Sequence, residues 1–257
     1  MLQVKEISKT FRLSRKQQKI EGTKEKVKVA LNKLSFTAYE GEIYGLLGPN
    51  GAGKTTALRC ISTLIKPDSG EIYLNGYSVT REEEQVRGQI GFLTSDLKLE
   101  EFFTPNYLFD YFAKLHGVDL ETTQARKAFL FEKFGIDKFA EVKVGELSNG
   151  MRQKVQISVA LVHDPKIIIF DEPTNGLDIL TAKIVTDYLK ELRDSGKTII
   201  ISTHIFSLAE RLCDRVGIII DGELKYESKL NDSTRKEANL EALLFQLVED
   251  SEAMKNA

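Results

Sequence analysis

The chain has 257 residues, with 36 lysines and arginines against 38 aspartates and glutamates, which gives a formal net charge of −2. This length suits one large α/β domain or a domain with an inserted lobe, and the near-neutral net charge gives no electrostatic case for a nucleic-acid partner, which usually needs a basic stripe. Cys60 and Cys213 lie in apolar helical patterns and are expected to be reduced core residues. The three histidines lack the spacing of zinc ligands. The sequence shows neither a signal segment nor an apolar run long enough to span a bilayer.

The N-terminal part of the chain is predicted to form antiparallel β structure. Residues 2–8 alternate apolar and polar side chains, as a half-buried strand does. Residues 11–28 are rich in lysine, arginine and glutamine, and are expected to form a solvated hairpin excursion. Further strands are predicted over residues 34–39, 42–47 and 71–74.

A glycine-rich loop follows the strand predicted at 42–47. Residues 48–55 read Gly-Pro-Asn-Gly-Ala-Gly-Lys-Thr and match the phosphate-binding pattern G-x-x-x-x-G-K-[ST]. Its glycines let backbone N–H groups point at phosphate oxygens, and a helix begins directly after it. Lys54 can reach the β- and γ-phosphates, and the Thr55 hydroxyl can bind Mg²⁺. The predicted nucleotide contacts are Gly48, Pro49, Asn50, Gly51, Ala52, Gly53, Lys54, Thr55 and Thr56.

The character of the sequence changes after a strand predicted at 89–94. Thr104 and Pro105 suit the start of a helix that ends by Gly117, and a second helix is expected over residues 122–134. These signals indicate a small helical subdomain at about 95–150. Most of its aromatic side chains are expected to form its core, and one or two could line a groove that receives a partner.

Alternating helices and strands return in the C-terminal half. The predicted elements are a helix from residue 147 to about 163, a strand at 167–171, a helix at 179–195, a strand at 198–202, a helix at 206–213, strands at 216–220 and 223–226, and a helix at 240–248. Several of these strands are β-branched runs without alternation, which indicates a parallel sheet that is covered on both faces.

Two of these strands end in candidate catalytic residues. Asp171 and Glu172 follow a buried strand, at the edge where α/β sheets hold ligands. Asp171 is expected to hold Mg²⁺ through water, and Glu172 to act as general base on the attacking water. His204 directly follows the strand at 198–202, although a single histidine at such a position is more often a cap or a core residue.

Together these motifs resemble an ABC (ATP-binding cassette) ATPase domain over about residues 1–226. The most discriminating segment is Leu-Ser-Asn-Gly-Met at 147–151, which resembles the family signature Leu-Ser-Gly-Gly-Gln. Residues 91–96, 149–155 and 160–165 look most like the exporter branch that includes sodium-extrusion ATPase subunits.

The resemblance implies an α/β fold with a P-loop NTPase core, a mostly parallel sheet, an N-terminal antiparallel β segment and an inserted helical subdomain. It implies a single ATPase domain over residues 1–227 and a short C-terminal helical tail over 228–257. The implied cofactors are ATP and Mg²⁺. Phe11 would stack on adenine, and His204 would join Glu172 and Lys54 in catalysis.

The resemblance also implies partners. Two copies of the chain would pair head to tail, so that Ser148 and Gly150 of one copy face the ATP held by the other, with residues 176–178 lining the interface. Closure of this dimer would drive export through an integral membrane permease subunit, which would hold the chain on the cytoplasmic face of the membrane. No nucleic-acid partner is expected.

Two departures from the family pattern concern the surroundings of the phosphate. Ser95 stands where the family carries a glutamine that contacts the metal, so Ser95 or its neighbour Asp96 would take that role. Asn149 and Met151 alter the signature.

Two other readings of these motifs are open. A soluble ABC ATPase of translation or DNA repair is the first, although the chain has one phosphate loop and no sustained heptads. The second is a different P-loop enzyme such as a kinase, which would lack the signature segment.

Overall fold

The computed structural model describes residues 1–94, 99–230 and 239–256. Within these ranges the strands form two sheets, which confirms the predicted fold class. The antiparallel sheet has the order β2-β1-β4-β5 and consists of β1 (Leu2–Arg12), β2 (Val27–Ala38), β4 (Ser69–Leu74) and β5 (Tyr77–Ser78). The central sheet has the order β10-β9-β3-β8-β7-β6 and consists of β3 (Ile43–Leu47), β6 (Ile90–Leu93), β7 (Ile167–Asp171), β8 (Thr198–Thr203), β9 (Arg215–Ile220) and β10 (Glu223–Lys229).

Helices surround the central sheet. They are α1 (Arg15–Glu21), α2 (Lys54–Ile61), α3 (Glu83–Arg87), α4 (Pro105–Leu115), α5 (Leu120–Phe134), α6 (Asn149–Ala160), α7 (Ile179–Asp194), α8 (Phe206–Leu212) and α9 (Leu240–Asn256), with short 3-10 turns at Asp137–Phe139 and Val144–Glu146. No helix within the described ranges combines the length and the apolar character needed to cross a membrane.

The centre of the parallel sheet positions the catalytic candidates. β3, β7 and β8 are buried along their whole length, because their isoleucine- and leucine-rich runs are covered on both faces. In the register of the sheet, Leu47 lies beside Thr203 and Asp171 lies beside Ser202. The carboxyl ends of these three strands therefore bring the phosphate loop, the acidic pair and His204 to one edge.

The N-terminal excursion contains a helix that the sequence analysis did not predict. β1 and β2 pair in antiparallel register as far as Arg12 and Val27, and α1 lies between them. A capping box at Ser14 and Gln17 begins this helix, and Gly22 ends it in the left-handed conformation. β2 consequently starts at Val27, well before the predicted strand at residue 34. The short β5 and α3 were also not predicted.

The helical region follows the predicted caps. Thr104 accepts a hydrogen bond from Tyr107 N at 3.2 Å with Pro105 in the first turn, and Gly135 ends α5 at φ 65°. α6 ends at Ala160, three residues before the predicted end, where Leu161 caps it. The core of this region is continuous with the core beside the central sheet, which also includes side chains of α9.

Both cysteines are buried and neither forms a disulfide, as predicted. α9 runs beyond its predicted end at residue 248, and its Leu240 and Leu244 are buried in the same core as β9 and α8.

Two histidines stack where α4 ends near the loop that follows α6. The rings of His116 and His163 lie 3.8 Å apart at an interplanar angle of 3°. His163 Nε2 is 3.0 Å from the carbonyl oxygen of Ile90, and its Nδ1 is buried without a hydrogen-bond partner in the described structure. Burial is the main cause that lowers the pKa of His163 to about 4, and the charge of His116 is the second. The hydrogen bond with the Ile90 carbonyl raises this pKa and opposes them.

This pair predicts a loss of stability on mild acidification. Between pH 6.5 and about 4 the unfolded chain binds a proton at residue 163 that the folded chain excludes, so the free energy of unfolding falls as the pH falls. His163→Gln should remove about 1–3 kcal/mol of this pH dependence. Urea unfolding of the original chain and of His163→Gln at pH 7.5 and pH 5 measures this difference. An equal decrease in the free energy of unfolding of the two proteins between these pH values would show that His163 is not the group responsible.

Candidate functional site

The phosphate loop depends on close backbone contacts. Gly48 has a φ of 148°, and a Cβ at this position would lie 2.2 Å from the carbonyl oxygen of Ile219. The adjoining hairpin turn also braces the loop, because Gly222 N donates to Ala52 O at 2.9 Å. The loop that carries the predicted nucleotide contacts is therefore fitted against β9 and the turn after it.

This fit predicts that Gly48→Ala weakens ATP binding by at least about tenfold and costs about 1–3 kcal/mol of folding stability, because the loop must move. Gly135→Ala is the matched control, since Gly135 also has a positive φ, 65°, but a Cβ there meets nothing within 4 Å. The control should lose about 1 kcal/mol and bind ATP normally. Titration with a fluorescent ATP analogue compares the two, and equal affinities would refute the steric argument.

Lys54 is held over the loop by the loop's own carbonyl groups. It is buried, and its Nζ donates to Gly48 O at 2.7 Å and to Pro49 O at 3.0 Å. An ammonium group has three donors, so one N–H is left for a phosphate oxygen. Burial lowers the pKa of Lys54, while the charges of Glu172 and Asp171 oppose this shift and favour the ammonium form.

A polar cluster lies beside this lysine. Thr55 Oγ1 donates to Asp171 Oδ2 at 2.8 Å, and the hydroxyl of Ser202 donates to the other oxygen of Asp171. Asp171 and Ser202 are both fully enclosed in the sheet edge. Ser202 was not predicted, although a serine at the end of an isoleucine run is a signal that could have identified it.

Glu172 lies next to this cluster in an unusual backbone conformation. Its φ is 54°, and its N–H bonds to Ser202 O at 3.1 Å and Ser202 Oγ at 3.3 Å. Glu172 Oε1 is 2.8 Å from Nδ1 of His204, whose side chain is 48% exposed against 15% for Glu172. A strained residue held by its neighbours is typical of functional sites.

These elements enclose one cavity of about 440 Å³. Its predicted lining residues are Phe11, Asn50, Gly51, Gly53, Lys54, Thr55, Thr56, Asp171, Glu172 and His204. Lys28, Ala30 and Asn175 also line it and were not predicted. Gly48, Pro49 and Ala52 support the loop through the backbone contacts described above.

Phe11 lies at the outer end of the cavity. Its ring is half-exposed, and Lys9 Nζ lies 5.8 Å from the ring centroid. Lys28 is the direct partner of Phe11 across the β1–β2 pair, so both side chains emerge on one face of the sheet.

The signature segment lies apart from this cavity. Ser148 caps α6, where its Oγ accepts a hydrogen bond from Met151 N at 3.3 Å, and it is exposed. Arg152 fixes the approach to the helix by donating to Leu147 O at 3.0 Å and Gly145 O at 3.0 Å. Among the described residues that line the cavity, neither Ser148 nor Gly150 occurs.

A wider groove of about 880 Å³ adjoins the cavity. Glu172 and Asn175 line both, and Asn149 lines the groove. Ser95 and Asp96, the predicted substitutes for a metal-contacting glutamine, lie outside the described residues.

Comparisons with known proteins agree with this geometry. A family model described as ABC transporter matches residues 31–175. The ABC transporter ATP-binding protein NatA of Bacillus subtilis is 40% identical over 208 residues, which cover 80% of this chain and 85% of that protein. Nod factor export ATP-binding protein I of Burkholderia orbicola is 40% identical over 195 residues, which cover 76% of this chain and 64% of that protein.

Solved structures give the same result. The structure of an ATP-binding subunit of an ABC transporter superposes with a TM-score of 0.82 at 30% identity, covering 96% of this chain and 99% of that one. A dimeric post-hydrolysis ATP-binding cassette with bound ADP and phosphate superposes with a TM-score of 0.78 at 29% identity, covering 90% of this chain and 99% of that one.

Proposed function

This chain belongs to the ABC transporter ATPase family, and from that premise we propose that it powers substrate export through a separate integral membrane permease. Binding and hydrolysis of ATP follow from the family itself. The observation that carries the ATPase chemistry of this proposal is the cavity that joins the phosphate loop to Glu172 and His204. The names of the relatives, which include an export protein, do not favour the alternative of a soluble ATPase in translation or DNA repair.

The proposed hydrolysis of ATP uses Glu172, His204 and Lys54, which all line the cavity. Water attacks the γ-phosphorus, the bond to the bridging oxygen breaks, and the leaving group is ADP. Glu172 accepts the proton of the attacking water as general base. His204 Nδ1 lies 2.8 Å from Glu172 Oε1 and orients that carboxylate. Lys54 neutralises charge on the phosphates.

The residues beside Lys54 fit a magnesium ion. The hydroxyl of Thr55 and the carboxylate of Asp171 already meet at 2.8 Å, and oxygen ligands with substrate phosphates are what Mg²⁺ prefers. Bound there, Mg²⁺ would neutralise charge on the phosphate oxygens. We assign Thr55 and Asp171 as its protein contacts and keep Ser95 as a proposed third. Ser202 orients Asp171.

The adenine and the second copy complete the proposed nucleotide site. Phe11 is placed to stack on adenine. Ser148 and Gly150 are not among the described residues that line the cavity of their own copy, which supports a head-to-tail dimer in which the partner supplies them. Ile179 and Leu180, which follow residues 176–178, are 86% and 74% exposed, which supports an interface at this loop.

The helical subdomain offers a surface for the permease. The rings of Phe102, Phe103, Tyr107 and Tyr111 form a continuous row with centroid separations of 4.3, 4.3 and 6.2 Å, in which the first pair is tilted and the other two are stacked. Phe102, Tyr107 and Tyr111 are about half-exposed or more, whereas Phe109 is buried in the core. A permease bound to this row would hold the chain on the cytoplasmic face of the membrane.

We propose residues 1–227 as one ATPase domain and 228–257 as its helical tail. Burial of Leu240 and Leu244 indicates that the tail packs on this domain.

Purification of crosslinked complexes from native membranes tests the proposed function. We expect an integral membrane protein to be recovered with the chain, and recovery to fall severalfold for Tyr107→Asp/Tyr111→Asp. Phe245→Asp is the control, because Phe245 is equally exposed but lies on α9. Recovery of ribosomal or DNA-repair proteins without a membrane protein would favour the soluble alternative.

A further inference from the structure

Residues 12–28, the basic excursion, carry a charge opposite to that of the whole chain. This segment contains seven lysines and arginines and two glutamates, a net charge of +5, whereas the whole chain has −2. This segment therefore has a net positive charge, whereas the remainder of the chain, with 29 lysines and arginines against 36 aspartates and glutamates, has a net charge of −7.

Six cations of the basic excursion are exposed, and none of them has a carboxylate partner among the side chains that the structure describes. They are Arg12, Arg15, Lys16, Lys19, Lys24 and Lys26. Elsewhere basic residues are often paired, for example Lys127 with Asp110 at 2.8 Å and Lys197 with Asp164 at 2.6 Å. The excursion thus presents cations whose charge is not used in folding.

The basic excursion is nevertheless an ordered structure. Its helix α1 has the capping box described above, Leu13 N donates to Lys26 O at 2.9 Å, and Gln18 Nε2 donates to Glu25 O at 2.8 Å. These bonds hold the cations on a fixed support, so the segment need not fold when it meets a partner.

Apolar side chains are exposed among these cations. Ile20 is 74% exposed, and Val27 and Val29 are about half-exposed. Because side chains alternate along a strand, Val27 and Val29 lie on the opposite sheet face from Lys28, which lines the nucleotide cavity. A partner can therefore contact the valine face without covering the nucleotide.

We propose that the basic excursion binds anionic lipid headgroups at the membrane surface. Exposed lysines around an isolated large apolar side chain are the composition of interfacial lipid-binding segments, in which the cations bind phosphate groups and the apolar residue enters the headgroup layer. A nucleic acid would use the cations but not Ile20. This contact belongs to the chain itself and does not depend on the permease.

Sedimentation with lipid vesicles tests this proposal on the purified full chain. The chain should bind vesicles of phosphatidylcholine and phosphatidylglycerol at about two to one, and not phosphatidylcholine alone. Lys16→Gln/Lys19→Gln should weaken binding by roughly fivefold per lysine, and raised salt should weaken it further. ATP hydrolysis in solution should remain unchanged, which shows that the variant is folded.

Two further variants make the result specific. Lys138→Gln/Lys143→Gln removes the same charge from exposed sites on the helical subdomain and should leave vesicle binding intact. Ile20→Ser should lower binding while the charge is unchanged. Equal binding to neutral vesicles, an equal loss in the control, or tighter binding to a single-stranded oligonucleotide than to anionic vesicles would each overturn the proposal.

Discussion

Glu172→Gln is expected to slow ATP hydrolysis by about 10²–10⁴-fold while ATP binding is preserved. Glutamine keeps the size of the side chain and its hydrogen bond toward His204, but it cannot accept the proton of the attacking water. The strained backbone at φ 54° is unchanged by this substitution, so the effect should lie in the chemical step. Because hydrolysis would reopen the proposed dimer, the variant should also accumulate as a dimer when ATP is added.

Phosphate release and gel filtration with ATP measure the two effects of Glu172→Gln. Glu191→Gln is the matched control, because it removes one carboxylate from α7, where Glu191 pairs with Lys133 away from the cavity. The control should hydrolyse ATP at the original rate. Unchanged hydrolysis in Glu172→Gln would show that another group activates the water.

Ser148→Arg is expected to lower hydrolysis by about 10²-fold or more and to prevent dimer formation with ATP. The arginine removes the hydroxyl proposed to face the partner's γ-phosphate and fills the interface. It also removes the cap of α6, which costs about 1 kcal/mol. Asp119→Ala controls for that loss, since Asp119 caps α5 by accepting from Thr122 N at 2.8 Å and should leave hydrolysis unchanged.

Ser148→Asn further separates the role of Ser148 as the cap of α6 from its proposed role at the partner's γ-phosphate. Asparagine is a good cap and keeps a polar group at the site, so this variant should retain dimer formation and a substantial part of the activity. If Ser148→Arg hydrolysed ATP fully as a monomer, the chain would work without a partner's signature segment.

Local signals predicted most of the central sheet and the phosphate loop. The strand Ile167–Asp171 was predicted with its exact bounds, because an unbroken β-branched run between Pro165 and two acidic residues is typical of a short buried strand. The loop at 48–55 was equally clear, since its glycines are required by backbone contacts such as that of Gly48 with Ile219. The fold class followed from the alternation of such strands with helices.

Long-range contacts could not be predicted from the sequence. The hydrogen bond of Ser202 to Asp171 joins residues on different strands, and the stacking of His116 on His163 depends on how α4 meets the end of α6. The helix α1 is hidden for another reason. Its caps are present in the sequence, but four of its seven residues are charged, and that composition predicts a solvated excursion.

The central proposal is that each active site is built from two copies. Mixing purified Lys54→Ala with Ser148→Ala tests it most directly. Ser148→Ala removes the hydroxyl without filling the interface, so each variant alone lacks one half of every site but can still pair. In a mixed dimer one site combines the intact Lys54 of one copy with the intact Ser148 of the other.

The composite site predicts that two nearly inactive proteins recover hydrolysis on mixing, to about a quarter of the original rate if the copies pair at random and the sites act independently. Activity that stays at the level of the separate variants after mixing would contradict it.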